Sequence, residues 1–397
     1  MKIAILADNY PPYMGGGITT LSYELSKGLA RIGHDVVVVT KGLKQQKVNL
    51  GMYRVCYLAS PQMPPKDVWY CMLRMKSVKR ILVNESPDII HDLGSVSAFQ
   101  PWVTEIAPTV ISVQGSPQLG AIRRMLSFED NLRNILFDIT HNFQPTIMAL
   151  FKKPNIKLQV YVSVFVMLDS LMGVRDDKVR EELASKSMVV YNGVDVHALR
   201  RIRDEVSKNE GIDDYSIVFI GRLMEYKGVR FLVKAFRHVV NDIHEASLHV
   251  VGDGPVLNDV RELVRRLGIE RNVFMYGSLA RGDAMRILAR SALLSHPSLY
   301  ESFGMVIAEA YAMGKPVVTH KAGYAKELVE KPGTGLTVNV VDEREYADAL
   351  MSLLTDKKTY SKLSQKAYAF AEEELSIEAM IKGYISAYRR ALDDPSV

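Results

Sequence analysis

At 397 residues, with 48% hydrophobic and 24% charged residues, the chain has an ordinary globular composition and is long enough for two domains. Its two cysteines, Cys56 and Cys71, are too few and too far apart for a disulfide framework or a Cys-x-x-Cys metal site, and no apolar run reaches membrane-spanning length. The net charge of +5 lies wholly in the first half, where residues 1–199 carry 22 Lys and Arg against 17 Asp and Glu; that excess suits an anionic acceptor or a membrane surface, and a solvated surface accounts for it nearly as well.

In chain order, KIAILA predicts an opening strand rather than a signal peptide, because Asp8 and Asn9 interrupt it early; with so few cysteines this predicts a cytoplasmic protein. The loop Pro11-Pro12-Tyr13-Met14-Gly15-Gly16-Gly17 follows, ahead of a helix beginning near Ile18. Its glycines let the backbone approach an oxygen-rich ligand at a helix N-terminus, and a flexible tight turn explains them as well. It has neither the Gly-Lys-Ser/Thr of a Walker loop nor the spaced dinucleotide fingerprint. Further runs, DVVVVT, YRVCYLA, DIIHD, PTVISVQG, QVYVSV and MVVYNG, alternate with helical stretches. Val and Ile with few polar alternations predict strands buried on both faces, hence an α/β domain on a parallel sheet with helices on either side. His91 ends one of these strands, as a catalytic candidate or a core or turn histidine. Residues 66–82 and 121–153 mix Lys and Arg with large apolar residues. A basic amphipathic helix of that kind can lie on anionic lipid, and a helix flanking a buried sheet has the same pattern.

Asn192-Gly193-Val194-Asp195 reads as a turn after the last of these strands, and the charged stretch His197–Asp214 predicts the connection between domains. The alternation restarts with SIVFIG, SLHVVG, VFMYG, ALLSHPS and KPVVTH. Two doubly wound domains are predicted, 1–200 and 201–375, with a closing helix in 376–397 that can pack back on the first. Ligands of such sheets bind beyond the carboxyl ends of the strands, which draws attention to the loops there. GRLMEYKG puts Arg222 and Lys227 in one of them; two cations can neutralise a diphosphate, although lone loop cations usually face solvent. VGDGP is another strand-to-helix turn. Gly277, in FMYGSL, either presents backbone groups to a base or is only strand and turn.

YESFGMVIAEA, Tyr300 to Ala310, carries the most information. Glu301 falls in a strand-to-helix loop and Glu309 inside the helix. The free N–H groups of Ser302, Phe303, Gly304 and Met305 would open that helix as an anion site. A carboxylate on the buried side of an apolar helix needs a partner, which favours a site over a solvated helix face.

In this order the GGG loop, NGVD, GRLMEYKG, VGDGP and ESFGMVIAEA resemble the motifs of glycosyltransferase family 4, retaining enzymes of the GT-B fold. The resemblance spans most of the chain and is most specific in residues 192–320. It implies two Rossmann-like doubly wound parallel-sheet domains facing across a cleft, acceptor side first and nucleotide-sugar donor domain second. It implies that Arg222 and Lys227 bind the donor diphosphate, Glu301 the hydroxyls of the transferred sugar and Glu309 the ribose. The Phe303, Gly304 and Met305 amides would meet the phosphates, with Ser302 and Gly277 also in the donor site and Gly16 and Gly17 approaching from the other domain. Transfer would need neither metal nor cofactor, and the sequence contains no Asp-x-Asp triplet. The implied partners are a UDP-, GDP- or ADP-linked sugar and a glycan, lipid-linked or small-molecule acceptor, with peripheral membrane contact through the first domain and no nucleic acid. An epimerase of the same architecture is one alternative; a binding protein that keeps the donor pocket without transfer is another. The departure from the family pattern is Ser112-Val113-Gln114-Gly115, where members carry a histidine near the reacting sugar. Gln114 can hydrogen-bond but cannot become a cation, so either a hydrogen bond suffices there, or His91 or another residue takes the role, or transfer is weak.

Overall fold

The computed structural model describes residues 1–12, 17–61, 70, 73–94, 101–115 and 155–393. Gly16, residues 121–153, and most of 66–72 lie outside the described residues, and with them much of the basic-apolar pattern. The chain forms two compact units, Met1–Asn192 with Ile377–Val397, and Gly193–Ser376. Among the described residues no helix is long and apolar enough to cross a membrane.

The first unit holds an eight-stranded sheet, order β3-β4-β2-β1-β5-β6-β7-β8. Its elements are β1 (Lys2–Ala7), α1 (Gly17–Arg31), β2 (Asp35–Gly42), β3 (Gln46–Asn49), β4 (Arg54–Ala59), α2 (Met75–Glu85), β5 (Ile89–Asp92), β6 (Thr109–Val113), β7 (Ile156–Tyr161), α3 (Val164–Met172), α4 (Asp177–Ser185) and β8 (Ser187–Val189). All pairings are parallel except that of β3 with β4. The Val and Ile runs are buried on both sheet faces, as parallel strands under helices must be. The edge strand β3 is an addition to the sequence expectation. QKVN is short and polar because an edge strand buries little.

The second unit runs α5 (Val196–Asn209), β9 (Asp213–Ile220), α6 (Val229–Asp242), β10 (Ser247–Val251), α7 (Leu257–Leu267), β11 (Val273–Gly277), α8 (Arg281–Arg290), β12 (Ser291–His296), α9 (Met305–Ala312), β13 (Val317–His320), β14 (Gly335–Val338), α10 (Glu343–Thr355) and α11 (Lys357–Glu373). Its sheet is ordered β11-β10-β9-β12-β13-β14, parallel throughout. The charged stretch expected to connect the domains is instead the helix α5, part of this unit. Asp195 caps it by accepting from the Ala198 N–H at 2.8 Å, and Val196, Leu199 and Val206 form its buried face. So narrow an apolar stripe among charges looks like a linker in composition. The closing helix α12 (Ile377–Asp393) groups with the first unit, where Met380, Ile381, Tyr384, Ala387 and Tyr388 join the core of Ile3, Ile5 and Val160. It crosses α1 at a glycine: a Cβ on Gly28 would fall 2.0 Å from Ile381 Cδ1.

Candidate functional site

In the second unit three loops at the carboxyl ends of adjacent strands nest on one another. The loop after β10 lies against the loop after β9: Leu223 N–H donates to the Asp253 carbonyl at 2.9 Å, and a Cβ on Gly252 would sit 1.9 Å from the Gly221 carbonyl oxygen. VGDGP therefore has glycine where two backbones touch. The loop after β9 is tied to the one after β12, where Leu299 N–H donates to the Tyr226 carbonyl at 2.9 Å. Gly228 has φ +71° and a Cβ there would come 2.3 Å from the Pro297 carbonyl oxygen. Gly228→Ala combines left-handed strain with a backbone clash beside Lys227, and is expected to destabilise the second unit by about 2 kcal/mol or more. Urea unfolding checks this, and an unchanged midpoint would contradict the packing.

That packing places Lys227 against Glu301. The Lys227 ammonium donates to Glu301 Oε2, and His296 Nε2 lies 3.5 Å from the same oxygen. Ser302 N–H reaches Oε1 at 3.3 Å. Burial by itself would raise the Glu301 pKa; Lys227 and His296 outweigh it and bring the carboxyl down to about 2. Gly304, at φ +80°, caps α9, so the chain turns into the helix directly beyond Glu301 and directs the helix's opening amides toward that loop. Phe303 is buried, while Ser302 and Met305 are half-buried. Arg222 stands exposed on the β9 loop, and among the described residues it makes no ion pair.

Glu309 is buried, and its partner is Arg281 at the start of α8, whose Nη2 lies 2.7 Å from Oε1. Burial raises the Glu309 pKa and the Arg281 guanidinium opposes it. Arg281 and His296 were not among the residues singled out from sequence. A histidine in the last position of a buried strand, five residues before Glu301, was the available signal for one; nothing marked the other. Gly277 ends the edge strand β11 at φ +68°, and its carbonyl accepts from Gly252 N–H at 2.8 Å.

The first unit distributes its candidates differently. Gly17 is the exposed first residue of α1. His91 is fully buried, with Nδ1 2.7 Å from the Tyr388 hydroxyl and Nε2 2.7 Å from Ser112 Oγ. Burial drives its pKa down to about 3, so it is a neutral core histidine bridging β5, β6 and α12. With both ring nitrogens engaged and no exposed surface, it is not placed to meet a reacting sugar, which corrects its standing as a catalytic candidate. Gln114, half-buried just past β6, accepts through Oε1 from Asn192 Nδ2 at 2.9 Å.

Residues 201–370 match the family of glycosyl transferases group 1, and residues 15–150 match Glycosyltransferase Family 4. An uncharacterized glycosyltransferase of Methanocaldococcus jannaschii is 25% identical over 420 residues, covering 99% of each chain. N-acetyl-alpha-D-glucosaminyl L-malate synthase of Bacillus anthracis is 26% identical over 416 residues, 99% of this chain and 98% of that one. Among solved structures, Anabaena HepE in complex with UDP and glucose superposes with a TM-score of 0.71 at 19% identity, over 98% of this chain and 99% of HepE.

Proposed function

The chain belongs to glycosyltransferase family 4, with the GT-B fold, and from that premise we propose that it moves a hexose from a nucleoside-diphosphate sugar to a hydroxyl of a glycan, lipid-linked or small-molecule acceptor, with retention at the anomeric carbon. The observation that carries the reading is the half-buried Lys227–Glu301 pair beside the opening of α9, with Arg222 on the same loop as Lys227. Arg222, Lys227 and the Phe303, Gly304 and Met305 amides take the diphosphate, Glu301 the sugar hydroxyls and Glu309 the ribose. Ser302 and Gly277 complete the proposed donor contacts of the second unit. The charge needed on the diphosphate comes from these groups, and the proposal assigns no metal or cofactor.

In the proposed reaction the acceptor oxygen bonds to the anomeric carbon as the bond from that carbon to the diphosphate oxygen breaks. The electron pair stays on the departing oxygen, which also takes the acceptor's proton. Negative charge therefore grows where the cations and amides point, so they stabilise the transition state more than the bound donor. Positive charge grows on the sugar, toward a Glu301 that stays ionised. Gln114 supplies a hydrogen bond and no charge in this scheme.

Thermal shift with uridine, guanosine and adenosine diphosphates, then their sugars, tests the reading. Uridine comes first because HepE is solved with UDP and with UDP-glucose. At a hundredfold excess over the dissociation constant the matching nucleotide adds about 2.7 kcal/mol to the stability of the donor-binding unit. That stabilisation should shrink in Arg222→Ala. A product that is itself a nucleotide sugar would identify an epimerase; binding without hydrolysis or transfer would identify a binding protein; no shift with any nucleotide would sink the proposal.

A further inference from the structure

His296 is 3% exposed, and among the described residues neither ring nitrogen has a hydrogen-bond partner. The charged and titratable groups that face it are Glu301 from the loop after β12, Lys227 from the turn before α6, and Tyr324 after β13. Tyr324 presents its ring edge-on at 6.0 Å, and its hydroxyl is engaged with Thr319 Oγ1 and the Ser298 carbonyl. The His296 carbonyl accepts from Thr319 Oγ1 at 2.7 Å, which fixes the backbone beneath the imidazole. Among the described residues the one group within reach of a ring nitrogen is therefore Glu301 Oε2, at 3.5 Å. A rigid, buried imidazole with unused hydrogen-bonding capacity, aimed at a carboxylate of the donor site, is a costly arrangement unless the capacity is used at some stage.

Lys227 has one ammonium and two claims on it. In the free chain it sits on Glu301, whereas the donor reading assigns it to a diphosphate. The lysine side chain is long enough to reorient, and a diphosphate carries more charge than one carboxylate. Once it turns, Glu301 would be a half-buried anion that has lost its counter-charge, which is destabilising. We propose that His296 is a positioning residue that takes over Glu301 at that moment, accepting a proton from solvent and donating through Nε2 to Oε2, so that donor binding takes up a proton. The proposal rests on the donor-site reading above. It keeps Glu301 ionised and oriented for the sugar while Lys227 serves the leaving group. In the free chain burial lowers the His296 pKa, Glu301 pulls it up and the Lys227 ammonium pushes it down again. An arriving diphosphate cancels the lysine's contribution and adds negative charge, so the direction of the change is upward.

Inorganic pyrophosphate is the probe, because it supplies the diphosphate without a choice of base or sugar. Imidazole carbon resonances of the nine histidines are followed from about pH 5 to 8.5 in the full chain, free and saturated, with His296 assigned by its loss in His296→Gln. The expected result is that pyrophosphate binds more weakly to Lys227→Ala and raises the His296 midpoint by about one unit or more, the other midpoints staying put. Lys227-dependent binding that leaves the His296 midpoint unmoved would overturn the proposal while leaving the donor-site reading intact. Binding unaffected by both Lys227→Ala and Arg222→Ala, or no binding, would defeat the donor-site reading and this proposal with it.

Discussion

Glu301→Ala is expected to lower turnover by about 10²- to 10³-fold while leaving nucleoside-diphosphate affinity within about threefold. The carboxylate sits on the sugar side of the proposed donor, paired with Lys227, with the Ser302 amide at Oε1 and His296 Nε2 3.5 Å from Oε2. Removing it deletes stabilisation that grows as the sugar becomes cationic, and frees Lys227 for the diphosphate. Glu309→Ala should show the reverse pattern, with nucleotide affinity falling about tenfold and turnover at saturation changing little. Arg281 complicates that second variant: without Glu309 its guanidinium loses a 2.7 Å partner, so Arg281→Ala belongs in the series to separate the two effects. Steady-state kinetics with a hydrolysed donor, and calorimetry with the free nucleotide, measure the two quantities independently. Equal losses of affinity and turnover in both variants would refute the division of labour.

A large effect on stability is expected at Lys315, outside the proposed chemistry. This residue follows α9, is 2% exposed, and has no hydrogen bond to its ammonium among the described residues. Burial, with Arg203 adding to it and Asp214 opposing, lowers its pKa from 10.5 to about 7. The Asp214 carboxylate is already engaged, 2.6 Å from Lys357. Below the folded value both folded and unfolded chains hold the proton. Between about 7 and 10.5 the unfolded chain binds more protons than the folded one, so this residue makes stability rise with pH through that window. Lys315→Met keeps the length of the side chain and removes the charge. At pH 7 it is expected to stabilise the second unit by about 2–4 kcal/mol and to flatten the rise toward alkaline pH. Chemical denaturation at pH 6, 7.5 and 9 checks both points, and a less stable variant at pH 7 would mean that the buried ammonium is compensated.

Most strands of both sheets were legible because buried parallel strands must be written in Val and Ile, and the two alternations mark two sheets. The edge strands β3 and β14 escaped because QKVN and GLTV are short and only partly buried. Helix α5 escaped because a surface helix with three buried residues has the composition of a connector. Among the candidate residues, His91 was open between a site and a core from sequence, since a histidine at a strand end fits either. Its bonds to Tyr388 and Ser112, 297 and 21 residues away, put it in the core. Arg281 carries no local pattern, and only its approach to Glu309 marks it; His296 offered no more than its place at the end of a buried strand.

The sequence by itself determined which loops carry charge and glycine at the carboxyl ends of the strands, because strand period, helix starts and turn residues are local properties of the chain. The tertiary structure alone decided which of those charges meet. Lys227 and Glu301 are 74 residues apart, and they pair because β9 and β12 lie side by side although two strands intervene in sequence. That adjacency comes from how helices on both faces bury the sheet, a long-range balance of packing that no single segment encodes. The path of the loop after β12 brings Glu301 Oε2 back to 3.5 Å from His296 Nε2, and so turns a strand-end histidine into a residue that can hold the carboxylate.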